Sequence, residues 1–280
     1  MLPRLLSIPL CLCLASLAIT PSAVASDPHA TSKAPKKAAT HSKAKTHSAD
    51  PHGGAVHWGY EGAGGPENWA KLDPANALCA TGQQQSPIDV RTTYALALDP
   101  LVFQYRPTKL SVLNNGHTIQ HGVDPGSFLE VGGDRYQLLQ FHFHTPSEEA
   151  VGGKRYPMVA HLVHKNDAGQ LAVVAVFLTQ GTASNPLFDV LWEKLPAEHN
   201  VSMRFEDKTY TPSDILPRDQ RYWTLMGSLT TPPCSEGVRW FILKTPVAIS
   251  KKQLAKFQHE FSMNARPIQP LYQRAILDGQ

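Results

Sequence analysis

The chain has 280 residues, 42% of them hydrophobic, and its 26 basic residues against 23 acidic ones leave a formal charge of +3. That composition suits a soluble globular protein with a sizeable core, and the length admits one large domain or two small ones. Much of the small positive excess sits in one early stretch, so charge makes no case for a nucleic-acid partner.

Residues 1–25 read as a secretory signal peptide. Arg4 supplies the positive start, Leu5 to Ile19 is an apolar run, and Ala23-Val24-Ala25 offers a small-residue cleavage site. The run is too short to span a bilayer comfortably and no later segment replaces it, so no membrane span is expected in the mature protein. Residues 26–54 are poor in apolar side chains and carry Lys33, Lys36, Lys37, Lys43 and Lys45 among Ala, His, Ser and Thr. Such a stretch buries too little apolar surface to order itself and is expected to be a disordered basic linker. Cleavage would remove Cys11 and Cys13, leaving Cys79 and Cys234, which in an exported protein can pair in only one intramolecular way.

From residue 55 to 280 the patterning is uniform, with no internal repeat and no second linker, which predicts one domain. Short segments with period-2 or continuous apolar character dominate: Leu110 to Asn114, Tyr136 to Thr145, Met158 to His164, Leu171 to Leu178 and Val238 to Leu243. Asn115-Gly116, Asp124-Pro125-Gly126, Gly132-Gly133 and Gly152-Gly153 punctuate them. The best helical pattern is Ser250 to Phe261, with Ser250 as N-cap before Leu254, Phe257 and Phe261. The expected fold class is therefore mainly β, with short peripheral helices.

Within this pattern, Gln140-Phe141-His142-Phe143-His144 places His142 and His144 on one face of a strand and the two phenylalanines on the other. A second strand carries His161, and the Gly152-Gly153 turn lies between, so antiparallel pairing would bring the third imidazole beside the first two. Three neutral nitrogen ligands with no fourth protein ligand leave an open coordination position, as in catalytic zinc sites. On spacing alone, cross-strand packing or surface decoration accounts for a His-x-His pair at least as well. His164 falls three residues after His161 and points to the opposite face, while His121, His199 and His259 have no partner at ligand spacing.

The surrounding motifs resolve this. Trp58-Gly59-Tyr60, Gln85-Ser86-Pro87-Ile88, Asn114-Asn115-Gly116-His117-Thr118, Gln140-Phe-His-Phe-His-Thr-Pro-Ser-Glu148, His161-Leu-Val-His164, Ser228-Leu-Thr-Thr-Pro-Pro233 and Arg266-Pro-Ile-Gln-Pro270 succeed one another in order. Together they resemble the alpha-class carbonic anhydrases of the bacterial periplasmic type, over about Trp58 to Leu277. The resemblance implies a single domain around a large, mostly antiparallel twisted sheet. It also implies one Zn2+ per chain, held by His142, His144 and His161, and reversible hydration of carbon dioxide by attack of zinc-bound hydroxide. Val163, Val173, Leu229, Thr230, Thr231 and Trp240 would line the substrate pocket. Thr230 would accept a hydrogen bond from the hydroxide and donate to Glu148; Gln140 would orient a ligand imidazole. His117 would be the proton shuttle, with Tyr60, Asn115 and Gln120 along its water chain. Carbon dioxide and bicarbonate are then the small-molecule partners, an exported, periplasmic or secreted location is expected, and a homodimer is compatible with the reading.

Two positions depart from the family pattern. Many members carry a histidine after the Ser-Glu of the ligand motif and a glutamate two residues before the third ligand; here these are Glu149 and Val159. That glutamate normally supports the third ligand, so His161 is expected to take its orientation elsewhere, from a backbone carbonyl. Two other readings remain: a non-catalytic binding module of the same fold, disfavoured by the intact ligand set, and a zinc-dependent esterase, for which no further acid/base group is apparent.

Overall fold

The computed structural model describes residues 57–279, so the expected signal peptide (1–25), the linker (26–54), the first two residues of the expected domain and Gln280 lie outside the described residues. Two-residue alternation organises the domain. On the strand Met158–Lys165, Met158, Ala160 and Leu162 are buried on one side while Val159, His161 and Val163 face the other. Its neighbour Leu171–Gly181 repeats the division, with Ala172, Val174, Val176 and Leu178 against Val173, Ala175 and Phe177. Period-2 apolar residues on both faces bury a strand twice over, which is why these two sit centrally in the sheet.

The described residues build a thirteen-stranded sheet. Its main order is Val201–Tyr210, Thr108–Asn114, Ile119–Gly122, Asp134–His144, Met158–Lys165, Leu171–Gly181, Glu236–Leu243, Tyr222–Ser228, Leu277–Gly279 and Tyr94–Leu96. Most pairings are antiparallel; Leu171–Gly181 runs parallel to both Glu236–Leu243 and Val247–Ser250, and Leu277–Gly279 runs parallel to Tyr94–Leu96. A separate three-stranded sheet joins Asp89–Val90, Ala150–Val151 and Lys154–Arg155. The mainly β, mostly antiparallel expectation therefore holds, with a parallel minority in its second half.

One face packs the larger core. Phe143 meets Phe188, Trp192 and Phe257 there, edge-on to Trp192 at 5.5 Å and to Phe257 at 5.8 Å, and Phe141 packs edge-on to Phe143 and Tyr210. Burial of each such ring contributes about 2–3 kcal/mol. The helix Lys251–Glu260 supplies Leu254 and Phe257 to this core and starts at a full capping box: the Ser250 hydroxyl accepts from the Gln253 amide, and Gln253 reaches back to the Ser250 N–H. The opposite face carries a smaller apolar cluster around Val159, Val173, Phe177 and Trp240, and above it the histidines.

Candidate metal centre

Antiparallel pairing between Asp134–His144 and Met158–Lys165 sets His161 directly opposite His142, and Val159 opposite His144. Register decides the site, since a one-residue slip would turn His161 to the other face. The ring centroids of His142 and His144 lie 5.1 Å apart, those of His142 and His161 5.6 Å, and those of His144 and His161 4.8 Å. Each offers one ring nitrogen, and the three nitrogens all fall within 4.8 Å of one another. His164, three residues on, turns to the other face and meets the Tyr105 hydroxyl at 2.7 Å; His121 is buried against Phe141, and His199 and His259 are exposed.

Every ligand imidazole has its other nitrogen engaged. Gln140 Oε1 lies 2.9 Å from His142 Nδ1, and the Asn264 carbonyl oxygen lies 2.7 Å from His144 Nδ1. His161 Nε2 faces the Glu149 carboxylate, 3.1 Å from Oε1 and 3.2 Å from Oε2. This corrects the expectation for His161, whose partner is a side-chain carboxylate and not a backbone carbonyl. A carbonyl or carboxylate can only accept, so each contact fixes the proton on the outer nitrogen and leaves the inner lone pair for a metal. Burial, then the neighbouring His161, holds His142 at about 3, and burial likewise keeps His144 far below its ordinary value; both are neutral, the form that ligates. His144 Nε2 is buried without a hydrogen-bond partner among the described residues. Such an orphaned lone pair, inside a three-imidazole set with no fourth ligand, fits zinc.

The triad opens into a cavity of about 180 Å³. All the residues expected around it line it: Tyr60, Asn115, His117, Gln120, Gln140, Val163, Val173, Leu229, Thr230, Thr231 and Trp240. Trp58 and Thr118, for which the sequence suggested no role, also contribute. Trp240 is held by its indole N–H donating to the Ser228 carbonyl at 3.1 Å, and it packs edge-on to His161 with centroids 4.9 Å apart. A Cβ at Gly227 would come within 2.7 Å of this indole, so only glycine lets the wall close here.

The family model of eukaryotic-type carbonic anhydrases matches residues 64–279. The chain belongs to the alpha carbonic anhydrases. A carbonic anhydrase of Nostoc sp. is 45% identical over 229 residues, which is 80% of this chain and 86% of that protein. Among solved structures, the alpha carbonic anhydrase of Photobacterium profundum is 44% identical with a TM-score of 0.75, covering 79% of this chain and 100% of the other. That of Thermovibrio ammonificans, solved with the inhibitor sulfanilamide, is 41% identical with a TM-score of 0.77, covering 81% and 100%. The carbonic anhydrase has zinc as its cofactor, with His142, His144 and His161 as the cluster that holds it.

The rest of this carbonic anhydrase site is placed by turns and loops. Gly116 has φ +83, which the tight turn requires, and Asn114 Oδ1 accepts from its amide at 3.0 Å. Asn115 Oδ1 accepts from the amides of His117 and Thr118 at 2.9 Å each, which aims His117 across the mouth of the cavity. There its ring stacks on Trp58 with centroids 3.5 Å apart, and its Nε2 lies 3.1 Å from His57 Nε2. Burial first, then His57 and His199, lowers His117 to about 4. Burial, followed by the Glu148 charge, pushes the Tyr60 hydroxyl well above its usual value.

Glu148 is fully buried beneath the triad. Burial raises it to about 7; His161 opposes that rise, Glu149 adds to it, and the Thr230 hydroxyl and the Arg266 amide draw it back. The Arg266 amide donates to Glu148 Oε1 at 2.8 Å, and its guanidinium bonds Gln85 Oε1 and the carbonyls of Ser86 and Cys79. Cys79 and Cys234 form the expected disulfide. Sequence reasoning missed Asn264, whose side chain accepts from the Thr145 amide and donates to the carbonyls of His117 and Phe143 while its own carbonyl fixes His144. It lies two residues before the Arg266-Pro-Ile-Gln-Pro270 stretch, but a backbone carbonyl has no residue-type signature.

Proposed function

We propose that this chain is an exported carbonic anhydrase of the bacterial periplasm, in which the apolar wall of the cavity holds carbon dioxide against the triad and His117 carries the product proton to solvent. One observation supports it above others: a single cavity joins the three imidazoles, an apolar wall and a polar path that ends at the half-buried His117. The location rests on the signal-like residues 1–25, the disulfide, and bacterial relatives such as the carbonic anhydrase of Pectobacterium carotovorum, 43% identical over 227 residues.

When bound, zinc supplies Lewis-acid activation of water at neutral pH, an effect for which carbonic anhydrases are the reference case. The protein's own part is positional. Val163, Val173, Leu229 and Trp240 exclude solvent on one side and match an apolar substrate. Where the Glu148 carboxyl is ionised, Thr230 donates its hydroxyl proton to it, so its oxygen can only accept from the reacting water, which points a lone pair at the carbon. Thr231, beside it, completes the substrate pocket. Tyr60, Asn115 and Gln120 offer hydrogen-bonding groups between the triad and His117, along which a water chain can pass the proton.

The deciding measurement is stopped-flow hydration of carbon dioxide by mature protein with its zinc quantified. One equivalent of zinc with hydration that disappears on metal removal and returns with zinc is expected; one equivalent with no hydration overturns the assignment. Sedimentation of the same sample reads whether the mature protein is a monomer or a homodimer.

A further inference from the structure

Strand alternation puts Val159, His161 and Val163 on one face, with Val159 fully buried in the smaller apolar cluster below the cavity. Valine offers nothing to an imidazole. The carboxylate that meets His161 comes instead from Glu149, twelve residues earlier, and it is 1% exposed. The peptide group that follows it is pinned through both its carbonyl and its amide. The Ser147 hydroxyl donates to the Glu149 carbonyl at 2.6 Å, and the next residue, Ala150, donates its amide to the Ile88 carbonyl at 3.2 Å. Among the described residues the Glu149 side chain has no hydrogen-bond partner other than His161.

We propose that Glu149 is the positioning residue of the third ligand: it holds His161 with Nδ1 toward the metal and thereby sets how long zinc is retained. A neutral imidazole has one N–H, and a carboxylate that can only accept keeps it on Nε2. The negative charge also makes the ligating nitrogen more basic. A buried carboxylate held by one partner is costly for folding, so its presence is not explained by stability. The inference rests on the zinc reading of the triad and adds to it the residue that replaces a carboxylate at position 159.

The test tracks release of zinc from full-length holoprotein into excess chelator. Glu149→Gln is expected to release zinc about 10- to 100-fold faster than wild type, while its apoprotein melts no lower than the wild-type apoprotein. Adding Val159→Glu returns a carboxylate to the same face of the sheet and is expected to recover most of the loss. Release within twofold of wild type overturns the proposal, as does a double variant that releases zinc as fast as the single one. Should Glu149→Gln fail to fold, Glu149→Asp, which draws the carboxylate back by one methylene, is read by the same twofold criterion. A wild-type protein that takes up no zinc fails the triad reading itself and is seen before any variant is made.

Discussion

His57 and His117 meet nitrogen to nitrogen, so one ring must donate and the other accept, and a charge on both is penalised. Burial contributes the larger part of His117's fall to about 4, with His57 next. His57→Ala is therefore expected to raise the His117 pKa toward 6.5 without reaching it, since burial and the Trp58 stack remain. The titration of its ring C2–H by NMR reads this directly, and an unchanged or lower value contradicts it. His117→Ala should slow turnover in weak buffer and be rescued by added imidazole, as expected of a proton carrier; an unchanged rate in weak buffer removes His117 from the proposed path.

Loops and strands tie these residues to one another across long separations. Arg266 links the Cys79 carbonyl, Gln85 and the Ser86 carbonyl through its guanidinium, while its amide supports Glu148. Gln85 in turn donates to the Cys234 carbonyl at 3.0 Å, so the disulfide and the buried acid share one network. The disulfide closes a loop of 155 residues, for which the chain-entropy model gives about 5 kcal/mol. Replacing both cysteines by serine is expected to lower unfolding free energy by several kcal/mol, measured by urea denaturation, and to loosen the segment around Arg266. A loss below about 1 kcal/mol would show that the folded network compensates for the bridge. The strands, the Ser250 cap and the cysteine pair were legible in the sequence because each depends on local period or on elimination; the triad was legible only through the family resemblance that the motifs around it carry. Glu149 as the partner of His161, and the Asn264 carbonyl as that of His144, were not. Both depend on which loops the finished sheet brings together, and the family pattern pointed to position 159.

Buried histidines occupy both faces of the sheet, and the two faces treat them differently. On the side of the smaller cluster, His142, His144 and His161 converge; on the other, His121 is buried against Phe141 and His164 against the Tyr105 hydroxyl, and among the described residues neither belongs to a three-ligand group. Burial lowers His121 to about 3 and His164 to about 4, so both rings are neutral in the folded protein down to acidic pH. The unfolded chain binds protons at these positions from about 6.5 downward, and the folded chain does not. Their contribution is thus fully present above 6.5 and lost as pH falls toward 4, by about 1.4 kcal/mol per pH unit for each group. Glu148, raised to about 7, acts in the opposite sense as pH falls from 7 toward its unfolded value and offsets part of the slope. The melting temperature is therefore expected to fall between about pH 6.5 and 4.5. His121→Phe, which keeps an aromatic ring stacked on Phe141, is expected to flatten that fall by one histidine's share. Thermal melts of wild type and variant at half-unit pH steps decide it: parallel profiles would mean that His121 is already protonated in the folded state.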